Sequence, residues 1–236
     1  MKKTGFLFFF LFFSEFLFAQ EDARQQKIDQ ITVEYFQMVN EESALYYGAL
    51  QEGLPRTTNH PYLWWQEYSK ARLSCLGAIY PEAMLRLDLY RHELVVLSPD
   101  KKHVVLIPEN VDWAKLHDKH VIFFQPDNLP GCPAKGYYFL LHSGNCKVLE
   151  RQNASLNRKN NNTNEQYYII TTRFYLLKDG AYQTIRTQSG LLQTLQPYKK
   201  ELKRFISANH LSFRKNPEEC IVQTVVEYEK LTGGLQ

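Results

Sequence analysis

The sequence predicts an α+β domain, in which an amino-terminal helix leads into a mainly antiparallel sheet of about eight strands and two carboxyl-terminal helices pack on it. Three stretches carry that prediction. Leu85, Leu87 and Leu89 alternate with Met84, Arg86, Asp88 and Tyr90. This period of two places the leucines on one face of a strand and Arg86 and Asp88 on the other. Tyr167 to Leu177 and Tyr182 to Arg186 flank Lys178-Asp179-Gly180-Ala181, and Asp-Gly between extended segments marks a hairpin because glycine accepts a positive φ. Beyond that hairpin the period becomes helical: Tyr198, Leu202, Phe205 and Ile206 form one stripe, with Lys199, Lys200, Lys203 and Arg204 outside it.

Before the domain comes a segment of a different kind. Lys2 and Lys3 precede an apolar run from Phe6 to Phe18, broken by Glu15 and followed by Ala19. A basic start, a short apolar core and a small residue describe a secretory signal peptide at residues 1–19. The run is shorter than the ~20 residues a spanning helix needs, and an uncleaved anchor is the alternative reading. No second long apolar run follows, so no transmembrane segment is expected after cleavage. The remainder, residues 20–236, reads as a single domain: a helical entry at 20–40, a β-rich body at 44–187 and a helical pair at 188–236. The formal net charge of +3 gives no basic patch with which to grip nucleic acid.

Within the domain, Ile28, Ile31, Tyr35, Met38 and Val39 recur at spacings of three and four, which predicts an amphipathic helix over Glu21 to Val39. Ala44 to Leu50 is short, apolar and aromatic, as a strand would be. Leu94 to Leu97 and Val104 to Ile107 flank the turn Ser98-Pro99-Asp100-Lys101. Asn110 to Leu116 suggests a helical turn, and Val121 to Phe124 and Tyr137 to His142 suggest strands. Pro126, Pro130, Gly131 and Pro133 make an irregular loop of Pro126 to Lys135. Gln152 to Gln166 is polar and rich in asparagine, so it is expected to stay a mobile loop that buries too little surface to offset its ordering entropy. Asn216 is an N-cap candidate before Pro217, Glu218 and Glu219, and Ile221, Val225 and Tyr228 line a last helix that Gly233 ends.

Cys75, Cys132, Cys146 and Cys220 are an even count in a chain read as exported. Their pairing is open. Cys132 and Cys146 are the nearest in sequence and flank a strand, which makes them the candidate bridge, while Cys75 and Cys220 read as small core residues. Asp112, His117, Asp118 and His120 are the candidate metal ligands, because imidazole with carboxylate suits zinc and similar divalent ions. No established catalytic spacing is present, although Cys75 or Cys146 with His142 is a formal nucleophile pair. Asn59, His60, Pro61, Tyr62, Leu63, Trp64 and Trp65 form the most unusual composition in the chain. Asn59, His60, Tyr62, Trp64 and Trp65 are the candidate binding residues, since aromatics are enriched at recognition hot spots. The competing reading is a loop that plugs the end of the sheet. Arg86 with Asp88 reads as an exposed pair of under about 1 kcal/mol.

Several of these stretches together resemble a family of uncharacterised exported proteins of Bacteroidota. The resemblance rests on Asn59-His60-Pro61-Tyr62-Leu63, on the Leu-x-Leu-Asp-Leu-Tyr core from Leu85 to Tyr90, on Lys178 to Tyr182, on the lysine-rich helix Lys199 to Ile206, and on Phe213 to Glu219 before a helix bearing Tyr228. It covers most of the chain after residue 19, departs at the asparagine-rich and proline-rich loops, and implies a place in the periplasm or outer cell envelope, or secretion. It implies no activity.

The function these features suggest is a non-enzymatic, exported cell-envelope module that binds a protein or glycan partner and needs no cofactor. A metal-assisted hydrolase built on the His117 and His120 region is the alternative, and a purely structural assembly component is a third.

Overall fold

The computed structural model describes residues 22–35, 44–64, 66–160 and 163–233. The stretch read as a signal peptide, the end of the predicted entry helix with Met38 and Val39, and Trp65 lie outside them. The fold is α+β and mainly antiparallel, with a single sheet of 11 strands rather than the eight expected. Helix α1 covers residues 22–35. The strands are β1 (Ala49–Leu50), β2 (Ser69–Cys75), β3 (Ala78–Asp88), β4 (Glu93–Leu97), β5 (His103–Val105), β6 (Val111–Leu116), β7 (Lys119–Phe124), β8 (Gly136–Ser143), β9 (Lys147–Asn160), β10 (Thr163–Lys178) and β11 (Ala181–Ile185). Helices α2 (Gln188–Thr194), α3 (Lys199–Ala208) and α4 (Pro217–Gly233) follow.

The strand order is β1-β5-β4-β3-β2-β6-β7-β8-β9-β10-β11, and every pairing is antiparallel. Most neighbours are consecutive, because short turns can only join antiparallel strands. Leu76 and Gly77 turn β2 into β3, and Asp179 and Gly180 turn β10 into β11, all with positive φ. The second of these is the hairpin that Asp-Gly predicted.

The sheet curls until its middle closes on itself. Four strands separate β3 from β9 in the order, yet the Ala154 N–H of β9 donates to the Leu89 carbonyl just past β3 at 2.9 Å. The concave face holds the main core. Leu73, Leu85, Leu87, Leu94, Val96, Ala114, Val121 and Phe139 are buried there. The leucine alternation read from the sequence is therefore the inner face of β3, as expected. Helices α2, α3 and α4 cover the same face further along, where Val148, Phe174, Leu176 and Ile185 meet Leu191, Leu202, Ile206, Ile221 and Val225. The opposite face buries Phe124, Tyr138, Leu149, Tyr175 and Tyr182 under Leu129 and Cys132 of the proline-rich loop. That loop also guards β11, since the Pro130 carbonyl accepts the Tyr182 N–H at 2.8 Å.

Four expectations need correction. The described part of the asparagine-rich stretch is no loop: it forms the outer end of the β9–β10 hairpin, which is paired from Lys147–Leu177 out to Asn160–Thr163. Backbone pairing does not depend on side-chain polarity, and Ala154 and Leu156 still reach the inner core. Asn110 to Leu116 is not helical, because Pro108–Asn110 makes one 3-10 turn and β6 begins at Val111. Ala44 to Leu50 divides into a 3-10 turn at Ala44–Tyr46 and the short β1. The carboxyl-terminal helices number three, the extra one being α2, capped by the Thr187 hydroxyl accepting the Gly190 N–H at 3.1 Å.

The two helices predicted at the carboxyl terminus form as α3 and α4. Asn216 caps α4: its Oδ1 accepts the Glu219 N–H at 3.2 Å while its Nδ2 donates to the Glu219 carboxylate at 3.0 Å. Helix α1 touches the body through an ion pair between Asp29 and Arg72. Its apolar stripe differs from a packed one, since Ile28, Ile31 and Tyr35 are about half exposed.

Candidate binding site

The aromatic loop does its work at the junction of three strands. Leu63 N–H donates to the Leu87 carbonyl and Leu89 N–H to the Pro61 carbonyl, both at 3.0 Å, so residues 61–63 extend β2 along the end of β3. Tyr62 bridges to Asp88 in this pairing. Upstream, the Asn59 side chain bonds the backbone of Tyr168 on β10, and Thr58 N–H donates to the Gln166 carbonyl at 2.9 Å. The β9–β10 hairpin is thus held at both edges, by Leu89 on β9 and by Thr58 and Asn59 on β10.

Tyr62 and Leu63 are buried, at 7% and 5% exposure. Of the candidate binding residues, Tyr62 is turned inward, while Asn59 is exposed and holds the Tyr168 backbone. His60 stacks on Tyr62 with centroids 5.9 Å apart. Trp64 is the more exposed of the described aromatics in the loop and sits edge-on to His117 at 5.1 Å.

Arg86 and Asp88 are not the exposed pair that the alternation suggested. The Arg86 guanidinium lies 3.8 Å from the Tyr62 ring centroid and 4.4 Å from that of Tyr68, and it donates to the Gln66 carbonyl and to Gln51. Asp88 is fully buried. Its Oδ1 accepts the N–H groups of Tyr90 and Arg91 at 2.8 and 3.0 Å, and its Oδ2 accepts from Gln51 at 3.1 Å. An aspartate that caps a tight turn satisfies its charge locally, which permits burial. Glu93 stands opposite Asp88 in the register, and burial, reinforced by Asp88, raises its carboxyl above the ordinary value. Burial also pushes the Tyr68 phenol up to about 12. These groups build a polar, aromatic wedge that locks loop to sheet.

Outside the wedge the surface opens. Thr58, Asn59, Lys159, Glu165 and Tyr167 line a shallow cleft of about 440 Å³, with the Lys159–Glu165 ion pair of 2.8 Å on its rim. Beyond it on β10, Ile169 and Ile170 are 41% and 44% exposed. Sequence reasoning passed over Gln51, Tyr68, Tyr167 and these isoleucines. The isoleucine pair was the available signal, since two adjacent β-branched residues on a strand cannot both face one core.

The metal candidates do not converge. Asp112 accepts from Ser74 at 2.8 Å, His117 occupies the β6–β7 turn with positive φ, and His120 sits edge-on to Trp113 at 5.8 Å. Among the described residues no three metal-binding side chains come together. The cysteine bridge is likewise not formed: all four thiols are free. Cys146 belongs to the helix-covered core and Cys132 packs against the cluster on the opposite face. Cys146 also fails as a nucleophile. Burial, with the nearby Glu229 carboxylate, pushes its thiol up to about 11. His142 is occupied by that same carboxylate, Nε2 to Oε2 at 2.9 Å, whose other oxygen accepts the Cys146 N–H at 2.7 Å. Cys75 is buried with its thiol raised in the same direction. No helix among the described residues is long and apolar enough to cross a membrane.

No protein-family model, curated protein or solved structure matches the chain.

Proposed function

We propose that this protein is an exported, non-enzymatic module of the cell envelope that binds a protein partner through the outer half of its β9–β10 hairpin. One observation supports the reading above the others: Ile169 and Ile170 stand exposed on opposite faces of β10, on a hairpin that Asn59 and Leu89 hold in place. An extended partner lying along the edge of this strand would meet one isoleucine on each face. A glycan is the weaker occupant. Sugars stack on open aromatic faces, and Tyr62 is covered by Arg86 and His60 and Tyr68 by Arg86, which leaves Trp64, edge-on to His117, as the exposed described aromatic of the loop. Export rests on the composition of residues 1–19 and on the resemblance drawn from sequence.

The test is capture from envelope extract by immobilised residues 20–236, with Ile169→Asp and Ile170→Asp as comparison baits. One reproducible partner that either substitution releases supports the reading. Capture of nothing reproducible, or capture indifferent to both substitutions, overturns it.

A further inference from the structure

We propose that the partner binds as an extended, acidic peptide segment that adds a strand to the open edge of β10 at Ile170 and Thr172. This rests on the reading of the chain as a protein-binding module and names the form the partner takes.

The alternation of an antiparallel strand fixes which backbone groups face that edge. Tyr168 directs its N–H and carbonyl away from β9, because both bond the Asn59 side chain. Phe174 directs its own toward β11, where it pairs with Ile185. Residues between them at the same parity, Ile170 and Thr172, must point the same way. Among the described residues no backbone group bonds to them there, and both residues are exposed. The gap from Tyr168 to Phe174 spans about 20 Å, room for a strand of about five residues.

The rest of this edge of β10 and the edges of its neighbours are guarded. Pro130 covers β11, Asn59 covers the outer part of β10, and Leu89 covers β9. A long uncovered edge invites strand pairing, and proteins ordinarily blunt it. Here the open stretch adjoins a recess of about 290 Å³ lined by Thr172, Phe174, Ile185, Phe213 and Pro217, with Arg173 and Arg186. Backbone groups on the edge bind any extended chain, and a recess beside them selects a side chain. Both charged residues lining it are arginines. A second copy of this chain would bring the same arginines toward each other, so charge favours an acidic segment from another protein.

The experiment selects heptapeptides from a random library on residues 20–236 and measures their affinity for variants. Selected peptides are expected to alternate β-branched with acidic residues. Thr172→Pro deletes an outward N–H and leaves the β9 ladder, which uses the odd-numbered residues, intact. It should weaken binding about tenfold, the cost of one lost backbone hydrogen bond. The double reversal Arg173→Glu, Arg186→Glu should weaken acidic peptides and not neutral ones. Hydrogen exchange on the unsubstituted chain supplies a readout independent of folding defects, since peptide should slow exchange at Ile170 and Thr172 alone in β10. A library without binders, or binders that leave those two amides unprotected, overturns the proposal. If the envelope partner is captured equally by the parent and by Thr172→Pro, strand addition falls while the binding module stands. If nothing is captured by the parent, the module itself falls.

Discussion

Asn59 closes its side-chain amide on the backbone of Tyr168: Nδ2 donates to the carbonyl at 2.9 Å and Oδ1 accepts the N–H at 2.7 Å. One side chain thereby imitates a neighbouring strand and seals part of an edge. Asn59→Ala removes both bonds and should lower the unfolding free energy by about 1–3 kcal/mol. Asn59→Asp keeps the acceptor but turns a carboxylate oxygen onto the Tyr168 carbonyl, so it should cost at least as much as alanine. Urea titration of the three proteins checks the order, and an alanine variant as stable as its parent refutes the role.

Arg86 makes a second, different lock. Its flat guanidinium fills the space between Tyr62 and Tyr68 while bonding Gln51 and Gln66. Lysine keeps the charge but has neither the plane nor the fork. Arg86→Lys should therefore destabilise by about 1–2 kcal/mol and alter the tyrosine signal in near-ultraviolet circular dichroism. An unchanged spectrum with unchanged stability would show that charge alone suffices.

Glu150 sets a pH dependence. It is buried at 3% exposure, accepts from Gln152 at 2.7 Å, and meets Lys119, which also pairs with Glu218 of α4. Burial raises its carboxyl above the ordinary value of 4.5. The folded chain then keeps this proton where the unfolded chain has released it. Stability should decline as pH rises from about 4.5 through the raised value, and then level off. Glu150→Gln should flatten that decline. The check is unfolding free energy against pH for both proteins, and equal slopes would remove Glu150 as the cause.

Thiol reactivity separates the two faces of the sheet. Burial raises all four thiols, but Cys75, Cys146 and Cys220 are buried whereas Cys132 is only partly covered. An aromatic disulfide reagent at pH ~8 should label Cys132 first and the others only on unfolding. Denatured, unreduced protein should titrate all four cysteines. Two missing thiols would mean that a bridge forms after all.

Much of the body could be read from residue order, and the reasons are local. The leucine alternation around Leu85 and Leu87 marks the inner face of β3 because burial there is decided by the strand itself. Asp179-Gly180 and the Asn216 cap are likewise short-range chemistry. What escaped reading depends on distant partners. Asp88 looks solvent-facing by parity and is buried because Tyr90, Arg91 and Gln51 satisfy it. The asparagine-rich stretch looks unstructured and becomes strand because β9 and β10 pair continuously from Lys147–Leu177 to Arg158–Gln166, with a register shift beyond. The role of Asn59 is invisible without Tyr168. The open stretch of β10 could not be anticipated, since an edge is defined by which neighbour is absent.

The contacts that seal the body join residues far apart in the chain. Asn59 Nδ2 reaches across 109 residues, Lys119 meets Glu218 across 99, and His142 meets Glu229 across 87. Individual hairpins can zip within about 1–10 μs, but closure over such spans must wait for a slow conformational search. Closing these seams, rather than zipping the ribbons, is therefore expected to set the pace of folding.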